Sequence, residues 1–275
     1  MLGQAALKIR PVKSFELPLL KDFAPPEWNT NIAQRFTLYF GQPFFYPIVA
    51  ERAGEIVGCA NGLLNGAAGW LGNIIVLPEY RGQGIGSDLT THLIEYFRYH
   101  GCISLVLIAT KLGEPVYSKL GFKVSSTYTF LRSEKILPST PTPHIHKAQP
   151  VNFDAMQKLD QEITGERRTA FLERFLAGGW IFQAGTHEPI SGFFLPGLEN
   201  GPILARDAIA GLGLLQFKLG SGYPSVVVPS SNQPALDLLL GSGFHIENTA
   251  ARMTLGEELD WKPEGVFSRG GGFCG

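Results

Sequence analysis

The chain has 275 residues, 44% hydrophobic and 17% charged, apolar enough for one or two cores and too apolar for a disordered chain. Its 23 basic and 24 acidic side chains leave a formal charge of −1, which gives no global electrostatic reason to bind nucleic acid or an anionic membrane. Cys59, Cys102 and Cys274 are scattered and lack any Cys-x-x-Cys spacing, so neither a disulfide framework nor a metal site is indicated.

In chain order, Ala6–Pro11 reads as a short strand, and Ser14–Phe23 and Ile32–Phe40 as helices. Tyr46–Arg52 and Ile56–Asn65 flank Ala53-Gly54-Glu55, a hairpin connection. Phe36, Tyr39, Phe40, Phe44, Phe45 and Tyr46 form an aromatic run ahead of it, for which core packing is the default reading. Trp70–Val76 is a third strand, stopped by Pro78. Ile85, Leu89, Leu93 and Phe97 then recur every four residues, which predicts an amphipathic helix over Gly84–His100. Ser104–Ala109 is a continuous apolar run of the kind buried in a parallel sheet. Glu114–Leu120 reads as a helix ended by Gly121, and Val124–Leu131 as a last strand.

Between Ile136 and Pro150 four prolines and the His144-Ile-His146 pair stand among Ser and Thr, a composition that suits a linker. Beyond it, Phe153–Leu176 is helix-like, Trp180–Ala184, Ser191–Leu195 and Ser225–Val228 read as strands, and Pro234–Leu240 as a helix. Tyr117-Ser-Lys-Leu-Gly121-Phe122 and Leu239-Leu-Gly-Ser-Gly243-Phe244 both place Gly-Phe after a helix that follows a buried strand, an echo that suggests two copies of one architecture. Charge divides mildly: residues 1–140 carry 13 basic and 10 acidic side chains, residues 141–275 carry 10 and 14.

The chemistry lies in Asn73-Ile-Ile-Val-Leu-Pro-Glu-Tyr-Arg81-Gly82-Gln83-Gly84-Ile85-Gly86-Ser87. A strand ends at a proline, and a basic, glycine-rich turn opens a helix whose first backbone N–H groups are unpaired and carry partial positive charge. This is an anion site, most naturally for a phosphate or pyrophosphate. It lacks the Lys-Ser/Thr of a P-loop, and the G-x-G-x-G spacing is not the dinucleotide fingerprint.

With that context, Arg81-Gly82-Gln83-Gly84-Ile85-Gly86 resembles the signature of the GNAT superfamily of acyl-coenzyme A-dependent N-acyltransferases, and the resemblance covers about residues 6–132. It implies an α/β chain of two GNAT-like mixed-sheet domains in tandem, with helices on both faces. Residues 1–135 would form the acyl-coenzyme A domain, 136–150 a proline-rich linker, 151–266 a degenerate copy and 267–275 a flexible glycine-rich tail. The resemblance further implies that the pyrophosphate of acetyl-coenzyme A rests on the amides of Gly82, Gln83, Gly84, Ile85, Gly86 and Ser87, with Arg81 beside it. The pantetheine arm would pair with the backbone at Ile75 and Val76, and Tyr117 would protonate the departing thiolate. No metal is needed.

Two positions depart from the family pattern: Thr110 stands where many members have Asn, and Gly113 replaces a common Ala. No carboxylate occurs on Trp70–Val76 to act as general base; Glu79 sits beside the turn as a solvated residue, and Glu51, on a neighbouring strand, is a weak candidate. In the second half the corresponding turn, near Leu204–Gly211, lacks the glycines and contains Asp207, so one cofactor per chain is expected. The activity expected is transfer of an acetyl or other short acyl group to an amine of a small molecule or peptide. The alternative is a non-catalytic acyl-coenzyme A-binding or regulatory protein of the same fold. A cytoplasmic setting is expected, with no nucleic-acid or membrane partner; a homodimer is allowed.

Overall fold

The computed structural model describes residues 6–28, 30–135, 137–138, 143–185 and 187–274. The elements, in chain order, are β1 (Lys8–Pro11), α1 (Ile32–Tyr39), β2 (Phe45–Arg52), β3 (Glu55–Asn65), β4 (Ala68–Val76), α2 (Ile85–Tyr99), β5 (Ser104–Ala109), α3 (Glu114–Lys119) and β6 (Lys123–Arg132). There follow β7 (Ile145–Lys147), α4 (Phe153–Thr164), α5 (Thr169–Glu173), β8 (Trp180–Phe182), β9 (Gly192–Phe194), β10 (Ile203–Ala205) and α6 (Ala208–Gly220). The last are β11 (Ser225–Pro229), α7 (Gln233–Gly241), β12 (His245–Gly256) and β13 (Val266–Ser268). Among the described residues no helix is long and apolar enough to cross a membrane.

The chain divides into two compact units, and they are not the two halves of the sequence. The first runs to Lys123 and includes Met253–Gly256 and Gly272–Cys274; the second holds Val124–Arg252 and Glu257–Gly271. The boundary thus falls after Lys123, not at the proline-rich stretch. Its physical cause is strand pairing: β6 lies antiparallel to β11, with Val226 opposite Leu131 and Val228 opposite Thr129, and the Thr129 and Ser230 hydroxyls meet at 2.7 Å.

In the first unit the strands run in the order β1-β2-β3-β4-β5, with the end of β12 beside β5. All pairs from β1 to β4 are antiparallel, and β4 and β5 are parallel. Helix α2 covers one face. Its Ile85, Leu89, Leu93 and Phe97 are buried as the four-residue spacing predicts, each worth roughly 1.5–3 kcal/mol of apolar burial. Phe97 lies so close to the sheet that a Cβ on Gly62 or Gly69 would stand 2.7 or 2.6 Å from its ring. Helix α1 covers the other face, where Phe36 meets Phe45 edge-on at 5.5 Å and Tyr39 tilts against it at 5.4 Å.

The second unit contains the antiparallel sheet β13-β10-β9-β8-β7. Its core gathers Leu214 and Leu215 of α6, Leu239 of α7, Val226 and Val228 of β11 and Phe267 of β13.

Four expectations are corrected. The helix expected over Ser14–Phe23 is a 3₁₀ segment, Ser14–Leu20, because Pro18 inside it has no N–H to give. The helix expected over Phe153–Leu176 is broken at Gly165, which takes φ +70°, into α4 and α5. The linker contains a true strand: β7 pairs with β8, and Lys147 Nζ sits 4.0 Å above the Trp180 ring; Ile136 and residues 139–142 of that stretch lie outside the described residues. The glycine-rich tail, expected to be mobile, buries Phe273 and Cys274 almost completely.

Arg10 joins the 3₁₀ segment to the sheet. Its guanidinium reaches both oxygens of Glu16 at 2.7 and 2.8 Å and Glu51 Oε2 at 2.6 and 2.8 Å. The guanidinium, with help from the Lys13 amide, holds the Glu16 carboxyl well below the usual range, at about 2. A carboxylate whose folded pKa is depressed stabilises the fold above its unfolded value and loses that contribution as the pH falls through the folded one. Glu16→Gln should therefore cost about 1.5–3 kcal/mol near neutrality, the worth of hydrogen bonds to a charged group. Urea unfolding at several pH values should show the deficit shrinking between pH 4.5 and 2; a deficit constant over that range would contradict this account.

Candidate active site

The site is built where β4 changes partner. Its ladder to β5 is formed at Ala68↔Ser104, Gly69↔Leu105 and Trp70↔Val106 and goes no further, although β4 continues to Val76. On its other side β4 keeps to β3, but with a register shift between Cys59↔Ile75 and Asn61↔Gly72. Asn73 sits at this bulge in the left-handed region, φ +49°. Its side chain is tied on both sides: Asn73 Nδ2 donates to Asn61 Oδ1 at 2.6 Å, and Arg35 Nη1 donates to Asn73 Oδ1 at 3.1 Å. The strands are therefore together at one end and parted at the other, with a pinned bulge beside the gap.

Past Val76 the chain turns through a 3₁₀ segment, Pro78–Tyr80, which is tethered where the Tyr80 hydroxyl donates to Glu55 Oε2 at 2.8 Å. Gly82 and Gly84 follow at φ +75° and +85°, and Gly84 is the N-cap of α2. No side chain caps this helix, so its first amides are free for an external acceptor. A Cβ on Gly82 or Gly84 would meet nothing within 4 Å, and one on Gly86 would meet only Val76 Cγ2 at 3.8 Å. Backbone donors at a positive helix end, with open space before them, fit a pyrophosphate. The residues present therefore suit coenzyme A.

Arg81, Gly82, Gln83 and Gly84 are exposed, Gly86 and Ser87 half-buried, and Ile85 is buried as the first apolar anchor of α2. The turn uses two arginines. Arg81 Nε donates to the Val76 carbonyl at 3.0 Å, and Arg52, at the end of β2, holds Gln83 Oε1. Sequence reading missed Arg52, because only the β2–β3 hairpin carries it to the turn. The Leu77 N–H donates to Val57 at 3.0 Å, so by strand alternation the polar groups of Ile75 face β3 and those of Val76 face the opposite edge.

Tyr117 stands on α3, just beyond β5. Its ring is buried, meets Phe122 at 6.2 Å, and its hydroxyl is pushed up to about 12 by burial. Gly113 is the reason the ring fits: a Cβ there would lie 2.7 Å from Tyr117 Cε2 and 3.2 Å from its hydroxyl. Thr110 accepts the Gly113 N–H on its hydroxyl at 3.2 Å and so shapes the same turn. Of the acidic residues, Glu51 is held by Arg10, and Glu79 lies exposed on the turn. His92 shares a 3.2 Å hydrogen bond with the Tyr46 hydroxyl.

The second unit has no equivalent anion site at α6. Asp207 caps that helix and accepts the Ala210 N–H at 2.9 Å, which places a carboxylate where Gly84 leaves α2 open. Asn232 caps α7 and donates to the carbonyls of Glu264 and Val266 at 3.1 and 3.0 Å. Leu239, at the position of Tyr117, is buried in the core.

Comparison with known proteins agrees with this geometry. Residues 16–122 match the model of the acetyltransferase (GNAT) family. The chain is 35% identical over 80 residues to a glucosamine 6-phosphate N-acetyltransferase of Trypanosoma brucei brucei, a match over 26% of this chain and about half (54%) of that relative. It is 24% identical over 204 residues to the uncharacterized N-acetyltransferase YitH of Bacillus subtilis, over 70% of this chain and 72% of that protein. A crystal structure from Pyrococcus horikoshii superposes with TM-score 0.82 at 19% identity, covering 98% of this chain and 96% of the other. A GCN5-related N-acetyltransferase from Sphaerobacter thermophilus does so with TM-score 0.67 at 16% identity, covering 93% and 98%. The likeness to the acetyltransferase (GNAT) family is thus carried by residues 16–122, which lie within the first unit.

Proposed function

We propose that the first unit transfers an acetyl or other short acyl group from acyl-coenzyme A to the amine of a small molecule or peptide, by direct attack with both substrates bound. The observation that carries this reading is the open, uncapped glycine turn of α2 set beside parallel strands whose ladder has stopped. Acyl-coenzyme A supplies the thioester. The amides from Gly82 to Ser87 hold its pyrophosphate, and Arg81 and Arg52 add positive charge at the turn. The outward-facing Val76 N–H, beside a carbonyl already held by Arg81 and with Ile75 behind it, guides the arm toward the gap between β4 and β5.

In the transfer a bond forms between the amine nitrogen and the acyl carbon, and the carbon–sulfur bond breaks. Tyr117 gives its proton to the leaving sulfur; a phenol held up to about 12 keeps that proton throughout the neutral range. With Glu51 committed to Arg10 and Glu79 in solvent, the amine enters neutral and its proton leaves to water. The second unit binds no cofactor, because Asp207 occupies the helix end that a phosphate would need. The name of the Trypanosoma relative makes glucosamine 6-phosphate the first acceptor to try.

Gly84→Val places a branched side chain at a left-handed position in front of the pyrophosphate, so calorimetry should find coenzyme A affinity at least about tenfold weaker. An intact fold with unchanged affinity would refute the placement. Tyr117→Phe should lower kcat by about 10²–10⁴-fold with little change in coenzyme A affinity. For the native protein, kcat should show no loss of this acid at alkaline pH short of about 12. Titration with coenzyme A should saturate at one equivalent per chain, and two equivalents would restore a site to the second unit.

A further inference from the structure

The proposed transfer leaves the acceptor side undescribed, and two features of the first unit bear on it. Paired residues on adjacent strands present their side chains to the same face. Asn61 is paired with Gly72, and Phe273 lies directly on Gly72: a Cβ there would be 2.1 Å from Phe273 Cβ and 3.0 Å from its Cα. Asn61 and Phe273 therefore share the face opposite α2, where Gly69 meets Phe97. The Phe273 ring is fixed by α1, with Tyr39 edge-on at 5.7 Å and the Arg35 guanidinium 5.4 Å from its centre. Gly72 is the next residue on this face after Trp70, where the ladder to β5 ends.

The second feature is a directed hydrogen-bond chain. A guanidinium can only donate, so Arg35 fixes the Asn73 oxygen toward itself. The Asn73 amide then donates to the Asn61 oxygen. That leaves Asn61 Nδ2 as the end of the chain, a donor that is buried and has no hydrogen-bond partner among the described residues. A fully buried donor without a partner is costly and calls for an oxygen to receive it.

We infer that Asn61 and Phe273 select the acyl acceptor: the site takes a compact amine that carries an oxygen able to accept a hydrogen bond, such as an amino alcohol or amino sugar. Asn61 Nδ2 donates to that oxygen, and the Phe273 ring closes the space in front of Gly72 to bulkier amines. This inference rests on the acyl-transfer reading above.

The test uses the full chain, saturating acetyl-coenzyme A and thiol release, with ethanolamine, propylamine and benzylamine as probes. Native protein should favour ethanolamine over propylamine by at least about tenfold in kcat/KM, because a site built around a polar contact rejects the analogue that lacks it. Asn61→Leu should collapse that ratio toward one, mainly through the KM for ethanolamine. Phe273→Leu should raise benzylamine relative to propylamine. Coenzyme A affinity should stay within about twofold in Phe273→Leu, and both variants should keep the native circular dichroism, which separates selection of the acceptor from a general loss of fold. Unchanged ratios in folded variants that bind coenzyme A and release thiol would overturn the assignment and leave acyl transfer standing. A native protein that neither binds coenzyme A nor releases thiol would overturn the acyl-transfer reading, and the assignment with it.

Discussion

The first unit depends on one interruption of backbone hydrogen bonding. β4 and β5 share a ladder only as far as Trp70 and Val106, and β4 then runs on without that neighbour. An open strand edge inside a domain is costly unless something else satisfies its polar groups. Here the Val76 carbonyl is taken by Arg81, a residue of the glycine turn itself. The bulge at Asn73 is held by Asn61 and Arg35, so the strand bends at a fixed place. The turn, the gap and the arginine that joins them form one arrangement, and α2 and α1 pack on the two faces of the sheet around it.

How much of this was legible in the sequence follows from which features are local. The period of Ile85, Leu89, Leu93 and Phe97, the apolar run of β5 and the glycines before α2 are written within a few residues of one another, and the elements fall within a residue or two of the expected bounds. Tyr117 and its neighbour Gly113 were visible as a pair, but the reason for the glycine was not, since it is the width of a ring lying across it. The features that escaped are joined only through space. Arg52 reaches the turn from another strand, and the Arg35–Asn73–Asn61 chain links residues 12 and 38 positions apart. Phe273 in particular hides among glycines that read as a loose tail. The pairing of β6 with β11 escaped for the same reason, because neither strand carries a local mark of its partner.

In the second unit the start of α6 is met from within the chain. α6 keeps its N-terminus, but the donors there are met from within by Asp207. Asn232 likewise spends its amide on two carbonyls. Lys218, buried in the last turn of α6, donates to Asn200, Gly201 and Ser268. Asp207, Asn232 and Lys218 each spend their polar groups on partners within the unit, which favours stability over binding.

The extra residue at Asn73 also changes the parity of β4. Before it, odd-numbered Gly69 faces Phe97 of α2 and even-numbered Gly72 faces Phe273; after it, even-numbered Val76 faces Gly86 of α2. A strand alternates sides with each residue, so without the insertion Val76 would turn away from the glycine turn and its neighbours would turn in. One added residue thus lets a single strand present its early even positions to one face and its late even positions to the other. For β4, counting residues and binding an anion are the same problem: shortening the strand by one would invert its far end, whatever side chains it carried.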